Sequence, residues 1–175
     1  MSSHADRHDL DKLGRWHQEL TKGSPGSFPV FAIFLVSPDD RLAHDIFRKF
    51  RSSFEAHNAG FENLVIFGQH GISTTTQSLL AEFGLSQNSL PALALVARAD
   101  TSSVYTLPLP SGTSEAVADE ERWSEGWQTT LTALEELVAE GNGHLVLDGV
   151  RGLTPRQLDH GPLDELVGRL LRDLT

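Results

Sequence analysis

The hydrophobic positions along the chain follow two periods, and each period predicts one type of element. Four short runs predict strands near 30–36, 63–67, 92–97 and 103–108. The first two are almost entirely apolar, as expected for buried strands, and the fourth is expected to form a hairpin with the third. Other apolar residues recur at helical spacing and predict amphipathic helices over 9–20, 38–57, 75–83, from 127 onward, and over 162–174. Residues 1–7 show neither period, so we expect a disordered start.

The order of these elements predicts an α/β fold. A strand–helix–strand unit forms a parallel pair with a right-handed crossover, and the later hairpin adds antiparallel strands to the same sheet. We therefore expect a central mixed sheet of four to five strands, flanked by helices. The main domain would cover 28–140. A tail and an amphipathic helix occupy 1–27, and an extension over 141–175 holds a candidate strand in "GNGHLVLDG" and the final helix.

Charge and composition exclude several classes of protein. The chain has 175 residues and a net charge of −10, which argues against a nucleic-acid partner because phosphate contacts need a basic surface. No apolar run approaches the roughly 20 residues that span a bilayer, and the N-terminus lacks the pattern of a secretory signal. We therefore expect a cytoplasmic protein with no membrane partner. The cysteine count is zero, which excludes disulfides, thiolate metal sites and thiol catalysis.

The stretch "VSPDD", directly after the first apolar run, marks the start of the long second helix. We interpret Ser37 as the N-cap, accepting a hydrogen bond from the backbone N–H of Asp40, with Pro38 at the first helical position. Asp39 and Asp40 then fall in the first turn, where the helix dipole favours negative charge. The pattern therefore predicts a structural cap.

A second stretch, "LLAEFGLSQNSLPALALV", carries a resemblance to a known family. Its apolar pair, "FG", short loop and proline before an apolar strand are similar to the thioredoxin-like superfamily, and the likeness extends over about residues 28–107. The resemblance implies a thioredoxin-like fold in which the Leu90–Pro91 bond is cis and its loop lies beside the helix start at Ser37. Redox members have Cys-x-x-Cys at that start, where this chain has "SPDD". The resemblance therefore implies a redox-inactive member.

The function expected from the resemblance is non-catalytic binding, as an interaction, scaffold or chaperone-like module. The candidate groove consists of Ser37–Asp40, the backbone at Leu90 and Pro91, and the loop after Phe67; in active relatives this groove holds an extended peptide. The partner would be another protein or a second copy of the chain. Since no Walker-type or dinucleotide-binding glycine motif is present, we expect no cofactor.

The strongest enzymatic alternative is a glutathione-binding or glutathione-transferase-like protein. In that interpretation Ser37 would hydrogen-bond the glutathione thiolate, Pro91 would contact the tripeptide backbone, and "SGTSEA" at 111–116 would bind its γ-glutamyl end. Two features oppose it. Fewer residues remain after Leu107 than the helical domain of a transferase needs, and Asp39 and Asp40 would repel a thiolate.

Three smaller hypotheses concern single residues. His4 and His8 have the four-residue spacing of a helical metal site, but we expect no metal at this end of the chain. His44 follows Asp40 by four residues and is expected to pair with its carboxylate. Trp123, within "DEERWSEGW", is the candidate interface residue.

Overall fold

The computed structural model describes residues 4–22, 28–57, 59–109, 129–140, 147 and 150–175. The helices, in chain order, are α1 (His4–Thr21), α2 (Arg41–Glu55), α3 (Thr74–Glu82), α4 (129–139) and α5 (Leu163–Leu174). The strands, in chain order, are β1 (Val30–Leu35), β2 (Leu64–Phe67), β3 (Ala92–Ala97), β4 (Asp100–Pro108) and β5 (Thr154–Gln157).

The five strands form one mixed sheet in the order β2-β1-β3-β4-β5. β1 and β2 are parallel and are joined through α2, whereas β1–β3, β3–β4 and β4–β5 are antiparallel. The predicted mixed α/β sheet flanked by helices is therefore confirmed. β2 and β5 are the two edge strands, and β1 and β3 lie at the centre, where every residue is buried.

The core has two layers, one on each face of the sheet, because side chains alternate along each strand. Val30, Ala32 and Phe34 of β1 face the layer that contains α2 and α4. The alternate residues Phe31, Ile33 and Leu35 face the layer that contains α1, α3 and α5. This double burial explains why β1 reads as an unbroken apolar run.

The N-terminal helix is longer than the sequence indicates, and the expectation of a disordered start is wrong from His4 onward. Ala5 is buried, and the Asp6 carboxylate accepts a hydrogen bond from the Thr74 N–H at 2.7 Å. These long-range contacts fix the first turn of α1, and a local pattern cannot reveal them. Within the described residues, no helix combines the length and the apolar character needed to cross a membrane.

The C-terminal extension adds an edge strand to the same sheet. β5 pairs with β4 through Val104–Arg156 and Tyr105–Pro155. All four residues of β5 are exposed, and proline is tolerated at such an edge, so neither an apolar run nor an alternating pattern marks this strand. The candidate strand in "GNGHLVLDG" lies outside the described residues, apart from Leu147.

Candidate functional site

Three loops meet at one end of the sheet and form the candidate site. Leu35 pairs with Phe67 on one side and with Ala92 on the other. The chain after β1, the chain after β2 and the chain before β3 therefore lie side by side. This register brings Ser37, Pro91 and the loop after Phe67 to the same end of the sheet.

The segment Ser37–Asp40 forms a turn before the helix instead of the first helical turn. The Asp40 N–H donates to the Ser37 carbonyl at 3.1 Å, and Pro38 occupies the second position of this turn, which its fixed φ favours. α2 begins at Arg41, so the prediction that Pro38 and Asp39 are helical is wrong.

Hydrogen bonding within this turn also runs opposite to the predicted cap. The N–H and the hydroxyl of Ser37 both donate to Oδ2 of Asp40, each at 2.9 Å. Asp40 occupies the N-cap position but makes no side-chain bond to the helix, since its carboxylate is turned back toward Ser37. Asp40 is buried, whereas Pro38 and Asp39 are exposed. The expectation that the Ser37 side chain caps the helix by accepting from the Asp40 N–H is wrong. The Ser37 hydroxyl donates to the Asp40 carboxylate instead, because a buried carboxylate needs donors.

His44 does not contact the Asp40 carboxylate, contrary to the predicted pair. Its Nε2 lies 3.0 Å from the Ser37 carbonyl oxygen, so the ring donates across the turn when that nitrogen carries the proton. The Ser37 hydroxyl is bonded to Asp40 and not to His44. The turn therefore lacks the serine–histidine contact that would activate a nucleophile.

The peptide bond between Leu90 and Pro91 is cis, the isomer that the resemblance implies. The backbone around it is already engaged within the chain. The Leu90 N–H donates to the Gln87 carbonyl at 3.2 Å, and the Pro91 carbonyl accepts from the Leu109 N–H at 2.9 Å. Pro91 is buried and Leu90 is half-buried. The Leu90 N–H could donate to an extended peptide only after losing its bond to Gln87, and the Pro91 carbonyl would have to accept a second hydrogen bond.

Gly68, in the loop after β2, packs tightly against the backbone that follows β1. Its φ is +94°, and a Cβ at this position would lie 1.9 Å from the Val36 carbonyl oxygen. Only glycine fits both the backbone conformation and the space. This close approach fixes the position of the loop after β2 relative to the chain after β1.

A buried carboxylate on α1 supports the same loop, and sequence reasoning missed it. Asp9 is 1% exposed, and its Oδ2 accepts from the Gly68 N–H at 3.1 Å, the Ser73 hydroxyl at 2.5 Å and the Thr76 hydroxyl at 3.2 Å. Within the described residues, Oδ1 of Asp9 is buried without a hydrogen-bond partner. The available signal was its spacing: Asp9 lies four residues from Ala5 and four from Leu13, on the buried face of α1.

Three histidine rings gather beside this loop. His70 lies 4.2 Å from His8 and 5.6 Å from His4, measured between ring centroids, so the predicted His4–His8 pair gains a third member from outside the helix. Burial lowers the pKa of His8, and the positive charges of Lys12 and His70 lower it further. Across the described residues, no group of three or more His, Asp or Glu side chains is arranged to hold a metal ion.

Two predicted site segments lie outside the described residues: Trp123, the candidate interface residue, and 111–116, the candidate γ-glutamyl contact. Of the predicted groove, Ser37 and Asp40 are in contact, and the strand register places Pro91 at the same end of the sheet. Comparison of this chain with protein-family models, with curated proteins and with solved structures finds no match.

Proposed function

We propose that the chain is a redox-inactive member of the thioredoxin-like superfamily that works as a non-catalytic protein-binding module. The parallel β1–β2 pair, joined through α2, supports the assignment, as does the antiparallel β3–β4 hairpin in the same sheet. So does the position of the Pro91 loop, beside the turn that begins at Ser37.

The observation that carries the proposal is the double hydrogen bond from Ser37 to Asp40. In a redox relative this helix start would hold a thiolate, stabilised by the helix dipole. Here the chain has no cysteine, and its own carboxylate occupies the positive end of α2. A serine hydroxyl has too high a pKa to replace the thiolate. The turn therefore has a structural role, and the function that we propose for the surface around it is binding.

The binding surface would be formed by side chains more than by free backbone groups. Leu90 and Pro91 already use an N–H and a carbonyl within the chain, so an added strand gains little there. Pro38 and Asp39 are exposed in the turn after β1, and the half-buried Leu90 precedes β3 at the same end of the sheet. The partner, another protein or a second copy of the chain, would contact these three side chains.

The test is recovery of a stoichiometric partner from the native host, with a charge reversal in the surface. Asp39→Arg should reduce recovery at least fivefold, because it changes an exposed residue at the centre of the proposed contact. Asp11→Arg makes the same charge change at an exposed position on α1 and should leave recovery unchanged. A wild-type chain that emerges alone and monomeric would contradict the proposal.

Immobilised glutathione separates the enzymatic alternative from this proposal. A glutathione thiolate beside Ser37 would be repelled by the Asp40 carboxylate, which already accepts the hydrogen bond from the Ser37 hydroxyl. We therefore expect no retention. Retention that disappears in Ser37→Ala would replace the binding-module proposal with the glutathione alternative.

A further inference from the structure

A cavity of about 510 Å³ lies beside the edge strand β2, away from Ser37 and Pro91. α1 contributes Lys12 and Arg15 from one face of the sheet, and α2 contributes Arg51 from the other. Its volume falls within the roughly 300–1,000 Å³ typical of small-molecule sites. Of the groove of the proposed function, the cavity shares Gln69 in the loop after Phe67 but none of Ser37–Asp40, Leu90 and Pro91. Lys12 and Arg15 lie outside that groove, so either proposal can fail without the other.

The charge of this cavity is opposite to that of the whole chain. Lys12, Arg15 and Arg51 line it together with His8, and Glu55 is the one acidic residue among its described lining, in a chain of net charge −10. Arg51 already pairs with Glu55 at 3.0 Å. Two cations, Lys12 and Arg15, therefore face the cavity without an ion pair to any described carboxylate.

Lys12 is the better placed of the two because it is held in position and half-buried. Its Nζ donates to the Ile66 carbonyl at 2.5 Å and to Oε1 of Gln69 at 3.3 Å, both neutral groups. Burial lowers the pKa of Lys12, and the charge of Arg15 lowers it further, whereas the Asp9 carboxylate opposes this shift. Arg15 is exposed, and its guanidinium lies over the Phe61 ring, 4.7 Å from the centroid. An anion bound here would form the direct ion pair that Lys12 and Arg15 do not make with any described carboxylate.

The edge of β2 is partly occupied by contacts within the chain, which favours a small ligand over an added peptide strand. The Ile66 carbonyl is occupied by Lys12, and the Leu64 N–H donates to the Phe61 carbonyl. β2 also has only four residues. A lysine placed against an edge strand is a common device against strand addition. Phe47 and Phe61 line the same cavity and offer apolar contact for the body of a ligand.

We propose that this cavity binds a small organic anion: a carboxylate or phosphate monoester attached to an apolar body, with Lys12 and Arg15 contacting the anionic group. The anionic group lies near the α1 side, and the apolar body packs toward Phe47 and Phe61. Because the charges alone attract inorganic anions weakly, the apolar body is what makes binding selective.

The experiment titrates the full-length protein with phenyl phosphate, with benzoate and with inorganic phosphate by calorimetry. We expect saturable one-to-one binding of at least one aromatic anion, at least fivefold tighter than inorganic phosphate. The tighter of phenyl phosphate and benzoate identifies the anionic group. Lys12→Gln and Arg15→Gln should each weaken it at least fivefold.

Matched controls remove the same charge outside the cavity. Lys22→Gln, directly after α1, and Arg48→Gln, on α2, each break an exposed pair, with Glu19 and Asp45 respectively, and should leave affinity within twofold. Because Arg15 is exposed, its variant should keep the wild-type unfolding temperature and stay informative if Lys12→Gln unfolds. No saturable binding, or an equal loss in the controls, would overturn the proposal.

Discussion

Oδ2 of Asp40 accepts two hydrogen bonds from Ser37, one from its N–H and one from its hydroxyl, and this contact holds the turn between β1 and α2. A buried carboxylate at a helix start is stabilised by the dipole as well as by its donors. It also places a negative charge where a catalytic thiolate would need a positive environment. The same contact thus stabilises the fold and opposes thiol chemistry.

A cysteine introduced at this turn should therefore be a poor nucleophile. Because the chain has no cysteine of its own, Ser37→Cys gives a single thiol. The Asp40 carboxylate should raise the pKa of this thiol above the ordinary value of about 8.5. Removing the charge in Ser37→Cys/Asp40→Asn should lower the thiol pKa by about one unit. The rate of iodoacetamide alkylation against pH measures both; equal profiles for the two variants would show that Asp40 has no electrostatic effect on position 37.

The sequence predicts those parts of the fold in which burial produces a local pattern of apolar residues. β1 and β3 are apolar at every position because both faces are covered, and the apolar runs predict both strands. β5 is exposed throughout and defined only by its pairing with β4, so its residues carry no local signal.

The site was predictable in position but not in bonding. "SPDD" marks a turn between strand and helix, yet the direction of the Ser37–Asp40 hydrogen bonds depends on the burial of Asp40, which comes from the packing. Asp9 and His70 are separated by 61 positions in sequence, and only the tertiary structure places Asp9 against the loop that contains His70. The cavity at Lys12 is likewise assembled from elements that are distant along the chain.

Gly68→Ala should destabilise the protein strongly. The new Cβ would lie 1.9 Å from the Val36 carbonyl oxygen, and the φ of +94° disfavours any other residue. We expect the free energy of unfolding to fall by at least about 2 kcal/mol. Gly60→Ala is the matched control, since its nearest atom would be 3.9 Å away. Urea titration of both variants checks the difference, and equal midpoints would show that the loop moves aside freely.

Asp9→Ala should also be costly, because it removes the carboxylate that accepts from Gly68, Ser73 and Thr76. The Ser73 and Thr76 hydroxyls lie 2.9 Å apart and can bond to each other, but the Gly68 N–H and one hydroxyl lose their acceptor. Unsatisfied buried groups cost about 1–3 kcal/mol each, partly recovered by relaxation, so we expect a loss of roughly 2–4 kcal/mol. Asp11→Ala, exposed on the same helix, should stay within about 0.5 kcal/mol of wild type. Urea titration compares the two variants. An equal loss in both variants would show that the buried hydrogen bonds of Asp9 add no stability beyond the effect of replacing an aspartate on α1.

Glu82→Gln tests the contact between α3 and α5, and its effect should depend on pH. The Glu82 carboxylate accepts hydrogen bonds from Arg169 and from His160. Burial alone would raise the pKa of Glu82, but these bonds lower it below its ordinary value of 4.5. A carboxylate with a lowered pKa stabilises the folded state above its ordinary pKa, and this contribution is lost as pH falls through the folded pKa.

We therefore expect Glu82→Gln to reduce the free energy of unfolding by roughly 2 kcal/mol at pH 7, the size of a hydrogen-bonded charge contact. The difference from wild type should shrink as pH falls below the ordinary glutamate pKa of 4.5. Glu19→Gln, which breaks an exposed pair with Lys22, should cost less than about 0.5 kcal/mol. Denaturant titrations at a series of pH values measure all three proteins. A difference that is constant with pH would mean that Glu82 acts through packing and not through its charge.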